Sequence, residues 1–193
     1  DRSLRMDAQG HPHVVYGGDH LYYAWQDGAT WHYELADASA GVGRLASLDL
    51  AHDGQPHVAY YDTPLDRLLY AYRDATGWRV EVVDTGLVTA WMRMTGFTLA
   101  LGPDAQPHIA YKRNGGLHYA SRDPAMGAWQ VESVDPAIGD YASLALDASG
   151  WPHISYGYPD LKYAHLDASG WHLGTVGGAG SSSSLALDSA GYP

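Results

Sequence analysis

The chain has 193 residues, of which 46% are apolar, and a formal net charge of −11. An acidic surplus without any Lys/Arg cluster excludes nucleic acid and an anionic membrane surface as partners, and no apolar run approaches the roughly 20 residues that span a bilayer. The absence of Cys excludes disulfides, thiolate metal sites and a Cys nucleophile.

Taken in chain order, the first element is a short alternating strand, Ser3 to Met6. A tight turn ending at Gly10 follows, because glycine accepts the positive φ that short hairpin turns require. Pro12 then opens a second strand, His13 to Tyr16; proline fits a first strand position, where no ladder donor is needed. A third strand covers Leu21 to Ala24, and a fourth opens at Trp31.

The same four segments recur along the rest of the chain. The first strand returns at Ser47–Leu50, Thr98–Leu101, Ser143–Leu146 and, for a fifth time, Ser184–Leu187. Pro-His reappears at Pro56-His57, Pro107-His108 and Pro152-His153, and Pro193 ends the chain. The third strand repeats Leu-x-Tyr-Ala at Leu68–Ala71, Leu117–Ala120 and Leu161–Ala164, and Trp78, Trp129 and Trp171 open the later fourth strands. Glycine marks the first turn at Gly10, Gly54, Gly150 and Gly191; the third copy has Ala105 there, which predicts a different turn.

Four short strands recurring about every 45 residues have the period of a β-propeller blade. Helical periodicity is absent, and a β-sandwich does not repeat its sequence at near-constant spacing. The expected fold is all-β: four four-stranded antiparallel blades near residues 1–43, 44–94, 95–140 and 141–180, with 181–193 opening a fifth, in a single repeat array. The frames Leu-Ala-Leu-Asp-x-x-Gly-x-Pro-His-Ile-Ser-Tyr (Leu144 to Tyr156, read with its repeats) and Leu161-Lys-Tyr-Ala to Gly170-Trp171 resemble bacterial multi-bladed propeller repeats of the sialidase-like and Asp-box-like kind. The Asp-box itself, Ser-x-Asp-x-Gly-x-Thr-Trp, is not present as such, and no sialidase chemistry is carried over.

His13, His57, His108 and His153 occupy one position per repeat. A ring of imidazoles is a conceivable ion site, but a histidine placed identically after every turn is expected to be structural, bonded to backbone. The repeated Trp31, Trp78, Trp129 and Trp171, with Tyr16, Tyr60, Tyr111 and Tyr156, are expected between blades. Neither a metal site nor a cofactor is assigned.

Function is sought where the copies differ, in the loops between the second and third strands and between blades. These loops place Tyr61, Asp62, Arg67, Trp91, Arg93, Arg113, Asn114, Tyr158 and Asp160 as candidate ligand-binding residues. Aromatic rings beside Asp, Asn and Arg offer a sugar a flat apolar face together with donors and acceptors for its hydroxyls. The expected function is a binding module for carbohydrate or cell-surface glycan, secreted or at the cell surface. The alternative is a carbohydrate-active enzyme, a polysaccharide lyase or glycosidase, for which His20, Tyr61, Arg93, Arg113 and Tyr158 could supply base and cation; no catalytic residue is assigned. A scaffold for protein partners is the third reading. The chain opens at Asp1 without Met and offers a surplus fifth first strand, so it is expected to be part of a larger propeller or to self-associate.

Overall fold

The computed structural model describes residues 3–88, 96–178 and 182–193. The chain divides into two compact units, Asp1–Leu87 and Val88–Pro193. Each contains two four-stranded antiparallel sheets in which strands follow one another in sequence order.

In the first unit one sheet consists of β1 (Leu4–Met6), β2 (Pro12–Gly17), β3 (Leu21–Asp27) and β4 (Thr30–Asp37); the other consists of β5 (Val42–Leu50), β6 (Pro56–Asp62), β7 (Arg67–Asp74) and β8 (Gly77–Thr85). The second unit repeats this with β9 (Phe97–Leu101), β10 (Pro107–Arg113), β11 (Gly116–Arg122) and β12 (Trp129–Asp135), then β13 (Ser143–Leu146), β14 (Pro152–Tyr156), β15 (Leu161–Asp167) and β16 (Gly170–Gly177). These are the four blades that the repeat predicts. Among the described residues none is helical.

Register is the same in every blade. The proline that starts each second strand pairs with the last residue of the first: Met6 with Pro12, Leu50 with Pro56, Leu101 with Pro107, Leu146 with Pro152. Each third strand carries a bulge against the fourth at its Leu, at Leu21, Leu68, Leu117 and Leu161. A bulge increases the local right-handed twist, and four equivalent bulges give four equivalently twisted sheets.

The alternation of apolar residues along each strand explains the packing. In the first unit Val15, Leu21 and Tyr23 of one sheet share a core with Leu48, Val58 and Tyr60 of the next. In the second, Ala110, Leu117 and Tyr119 share one with Leu144, Ile154 and Tyr156. The repeated indoles add ties across these seams. Trp78 lies edge-on to Tyr23, centroids 5.5 Å apart, and its Nε1 donates to Glu34 Oε2 at 2.9 Å. Trp171 repeats both contacts, with Tyr119 at 5.3 Å and Glu132 at 3.0 Å. Trp31 and Tyr16 do not follow this expectation: they are 40% and 47% exposed.

The first-to-second-strand turn is built identically in all copies. A backbone amide closes it on the carbonyl four residues on, as in Asp7 N–H to His11 O and Asp147 N–H to Trp151 O, and a second bond closes the inner loop, as in Gly10 N–H to Asp7 O. The third copy does not differ, contrary to the sequence expectation. Gly102 N–H to Gln106 O and Ala105 N–H to Gly102 O reproduce the pattern, and Ala105 takes the left-handed φ of 59° to do so. The ladder on both sides evidently outweighs the ~1–2 kcal/mol that this conformation costs an L-residue. The fifth copy forms the turn as well, with Asp188 N–H to Tyr192 O at 2.9 Å and Gly191 N–H to Asp188 O at 3.0 Å. Its expected strand, Ser184–Leu187, is not in a ladder; Leu185 N–H instead donates to Ser143 Oγ at 3.0 Å, holding this segment against the fourth sheet.

Candidate functional site

The four Pro-His histidines are equivalent, and each accepts or donates a short hydrogen bond through Nδ1. The partner is a side chain rather than the expected backbone: the phenol of the Leu-x-Tyr-Ala tyrosine on the third strand. The pairs are His13–Tyr23, His57–Tyr70, His108–Tyr119 and His153–Tyr163. Burial raises the phenol pKa above its ordinary value at Tyr23, Tyr119 and Tyr163, so these hydroxyls stay protonated.

His13 departs from the other three in what surrounds it. It is 7% exposed, and its Nε2 is buried with no hydrogen-bond partner. The nearest acid, Asp7 Oδ2, is 3.5 Å away, beyond the usual range of a protein hydrogen bond. A buried polar atom left in this way is costly. A cleft of about 460 Å³ lies over His13, between the β1–β2 turn with Asp7 and Gln9 and the β5–β6 turn with His52 and Asp53. A second cleft of about 210 Å³ shares His13 and Gly54 with it and adds Tyr23, Trp25, Gln55 and Arg73.

Several of the side chains there are held by their neighbours. Asp7 Oδ1 accepts the backbone N–H of His11 at 2.7 Å and of Gln9 at 2.9 Å. The His11 N–H is the main reason its carboxyl titrates below the usual carboxylate range. Trp25 stacks between Tyr23, at 5.2 Å, and His32, at 5.0 Å. Arg73 forms a bidentate pair with Glu34, at 3.0 and 3.1 Å. The two adjoining clefts are thus lined by the carboxylates of Asp7 and Asp53 on one side of His13 and by the indole of Trp25 and the guanidinium of Arg73 on the other. Such a set can stack on one face of a small polar ligand and bond several of its hydroxyls.

The residues chosen from the loop face are placed differently. Asp62 is only 2% exposed and pairs with Arg67, Nε to Oδ2 at 2.8 Å; Tyr61 donates to Asp66 at 2.6 Å. These bonds close the β6–β7 loop on itself. Arg113 and Asn114 lie in the β10–β11 turn, where Asn114 adopts a φ of 50°. Tyr158, 57% exposed, and Asp160 stand in the β14–β15 loop. Trp91 and Arg93 lie outside the described residues. Tyr61, Arg67 and Arg113 are half-buried, more exposed than the repeated Tyr60, Tyr111 and Tyr156, which are fully buried.

Asp7, Trp25 and Arg73 were not picked out by sequence. The signal was present: the position after Leu-x-Tyr-Ala varies between copies as Trp25, Tyr72, Ser121 and His165, as much as the loops do.

No protein-family model and no curated protein matches the chain. Solved structures do. The chain is similar to the SapL1 lectin in complex with alpha methyl fucoside, at 14% identity and a TM-score of 0.62, over 89% of this chain and 63% of that one. It is similar to AofleA from Arthrobotrys oligospora at 12% identity and a TM-score of 0.62, over 94% and 59%. It is also similar to a polysaccharide lyase, PL25-ulvan lyase, at 11% identity and a TM-score of 0.59, over 89% and 56%. The fold is that of propeller blades. This chain spans 56 to 63% of the length of these structures.

Proposed function

We propose that the chain is a carbohydrate-binding module, and that a sugar occupies the groove between the first two blades. The observation that carries this reading is the pair of clefts, about 460 and 210 Å³ in volume, that share His13, whose Nε2 is buried without a hydrogen-bond partner. Ligand sites are concave, with a few convergent polar groups. A hydroxyl is both donor and acceptor, so it suits the polar groups that line the clefts, Asp7, Gln55 and Arg73, while the half-buried Trp25 offers apolar ring surface. The lectin bound to a fucoside and the lyase support this at the level of the fold, through a shared blade architecture. Glycan binding by a protein of this kind places it outside the cytoplasm, secreted or at the cell surface. Among the described residues no helix is long and apolar enough to cross a membrane.

The loop face offers a second location, favoured by the exposed ring of Tyr158 beside Asp160. A glycan array, followed by titration calorimetry on each hit, separates the two. His13→Ala and Trp25→Ala are expected to abolish binding and Tyr158→Ala to leave it intact; the opposite pattern moves the site to the loops. Absence of any hit would remove the carbohydrate reading. Accumulation of unsaturated sugar products on incubation with a uronate polysaccharide would make the site that of a lyase.

A further inference from the structure

The hairpin that closes the fourth blade carries a cluster found in no other blade among the described residues. His165 on β15 pairs directly across the ladder with His172 on β16, and Asp167 begins the turn between them. One ligand atom from each of these three residues lies within 4.8 Å of the other two. We propose that His165, Asp167 and His172 form a binding site for a divalent transition ion of the zinc class.

The donor set suits such an ion. Imidazole nitrogen and carboxylate oxygen are the ligands of zinc, and three protein ligands with an open position form a recurrent zinc arrangement. Bond lengths of about 2.0–2.1 Å put the donors of a tetrahedral site roughly 3.3 Å apart. His172 Nε2 already lies 3.0 Å from Asp167 Oδ1. The imidazoles are nearly parallel, with centroids 4.9 Å apart and planes inclined by 18°, so closing the set takes side-chain rotation and no movement of the strands. His172 and Asp167 are about half exposed, at 47% and 48%, and an ion would take the place of the bonds that Ser169 Oγ makes to both. His165 is held from behind by stacking on His153 and Tyr163.

The repeat provides an internal comparison. The same three positions hold Trp25, Asp27 and His32 in the first blade, Tyr72, Asp74 and Arg79 in the second, and Ser121, Asp123 and Gln130 in the third. In those blades the positions hold the hairpin together: Trp25 stacks on His32 at 5.0 Å, Arg79 pairs with Asp74 at 2.9 Å, and Gln130 bonds Asp123 at 3.2 Å. Only in the fourth do all three become ligands, on a scaffold that folds without them.

The test is zinc uptake by the untagged chain after chelator treatment, followed by calorimetry and elemental analysis. The expected result is one ion per chain at neutral pH, displaced by acid because the imidazoles must be unprotonated to bind. His165→Trp and His172→Gln import residues that the first and third blades carry at these positions, so the hairpin is retained. Each is expected to weaken binding by more than about tenfold, which loss of a mere outer hydrogen-bond partner can already cost a metal site. Undiminished binding in both variants overturns the proposal. A measurement on the unaltered chain is independent of variant folding: substoichiometric Cu²⁺ is expected to broaden the ring resonances of His165 and His172 first, and initial broadening of other histidines instead overturns it.

Discussion

Tyr60 on β6 donates a hydrogen bond of 2.7 Å to Asp37 at the end of β4, linking the second blade to the first by a charged acceptor. Tyr156 makes the same bond to Asp135 in the second unit, at 3.0 Å, but Asp135 also receives the Lys162 ammonium at 2.7 Å. Burial would raise the Asp135 carboxyl, and Lys162, the Ala137 N–H and Tyr156 together outweigh it, leaving the group below its ordinary value. A hydrogen bond to a charged group contributes about 1.5–3 kcal/mol. Tyr60→Phe is therefore expected to destabilise the chain by an amount in that range and Tyr156→Phe by less, since the ammonium remains. Urea unfolding of both variants checks the order; equal losses would show that the second donor does not compensate.

The indoles predict a sharper contrast. Trp78→Ala removes an edge-on ring contact and the bond to Glu34, and large-to-small changes at packed aromatics cost about 3–5 kcal/mol. Trp31 stands at the same repeat position but is 40% exposed, so Trp31→Ala is expected to cost under about 1 kcal/mol. Guanidinium denaturation measures both, and similar losses would refute the assignment of Trp78 to the seam.

Ala105 holds the left-handed conformation that glycine holds in the equivalent turns. Ala105→Gly relieves about 1–2 kcal/mol of strain and returns part of it as unfolded-chain entropy. A net gain of roughly 0.5–1 kcal/mol is expected, read as a rise in the midpoint of thermal unfolding. A fall would mean that the turn is not strained at this residue.

Acid should destabilise the second unit through its histidines. Burial lowers the pKa of His108 and of His153, with Asp104 and Asp147 opposing it only in part. An unfolded imidazole titrates near 6.5. Below that value the unfolded chain binds more protons than the folded one, so stability decreases as pH falls through 6.5 and continues to decrease until the folded values are passed. His108→Asn, which keeps a polar atom near Tyr119, is expected to flatten the dependence of melting temperature on pH between 7.5 and 5. An unchanged slope would assign the acid sensitivity to other groups.

The strands were legible because their signals are local. Alternation, the strand-opening prolines and the Leu-x-Tyr-Ala frame lie within a few residues of one another, and the ladders follow them with one register in all four blades. Contacts between blades were only half legible. The repeated Trp and Tyr announced a seam, but their acceptors, Glu34 and Asp37, are 44 and 23 residues away and become partners only once one sheet lies on the next. The groove was missed for the same reason: Asp7, His13 and Trp25 meet Gln55 and Arg73 only across a seam. The loop residues were legible as polar groups but their pairing was not: Asp62 and Arg67 bond each other in the fold.

The fifth turn, Asp188 to Tyr192, closes outside any ladder of the described residues, with Asp188 Oδ1 accepting the N–H of both Ala190 and Tyr192 at 2.9 Å. Five residues therefore contain every bond that shapes it. In a hairpin whose side chains alternate between faces, a slip of one residue would exchange the buried row for the exposed one. A turn that sets itself acts as a clamp on alignment, fixing which residues face each other before the strands meet. Loops closed over so few residues cost little entropy, so each blade can be assembled from its own local start, and an insertion inside this pentapeptide would disturb a whole sheet where one in the longer loops would not.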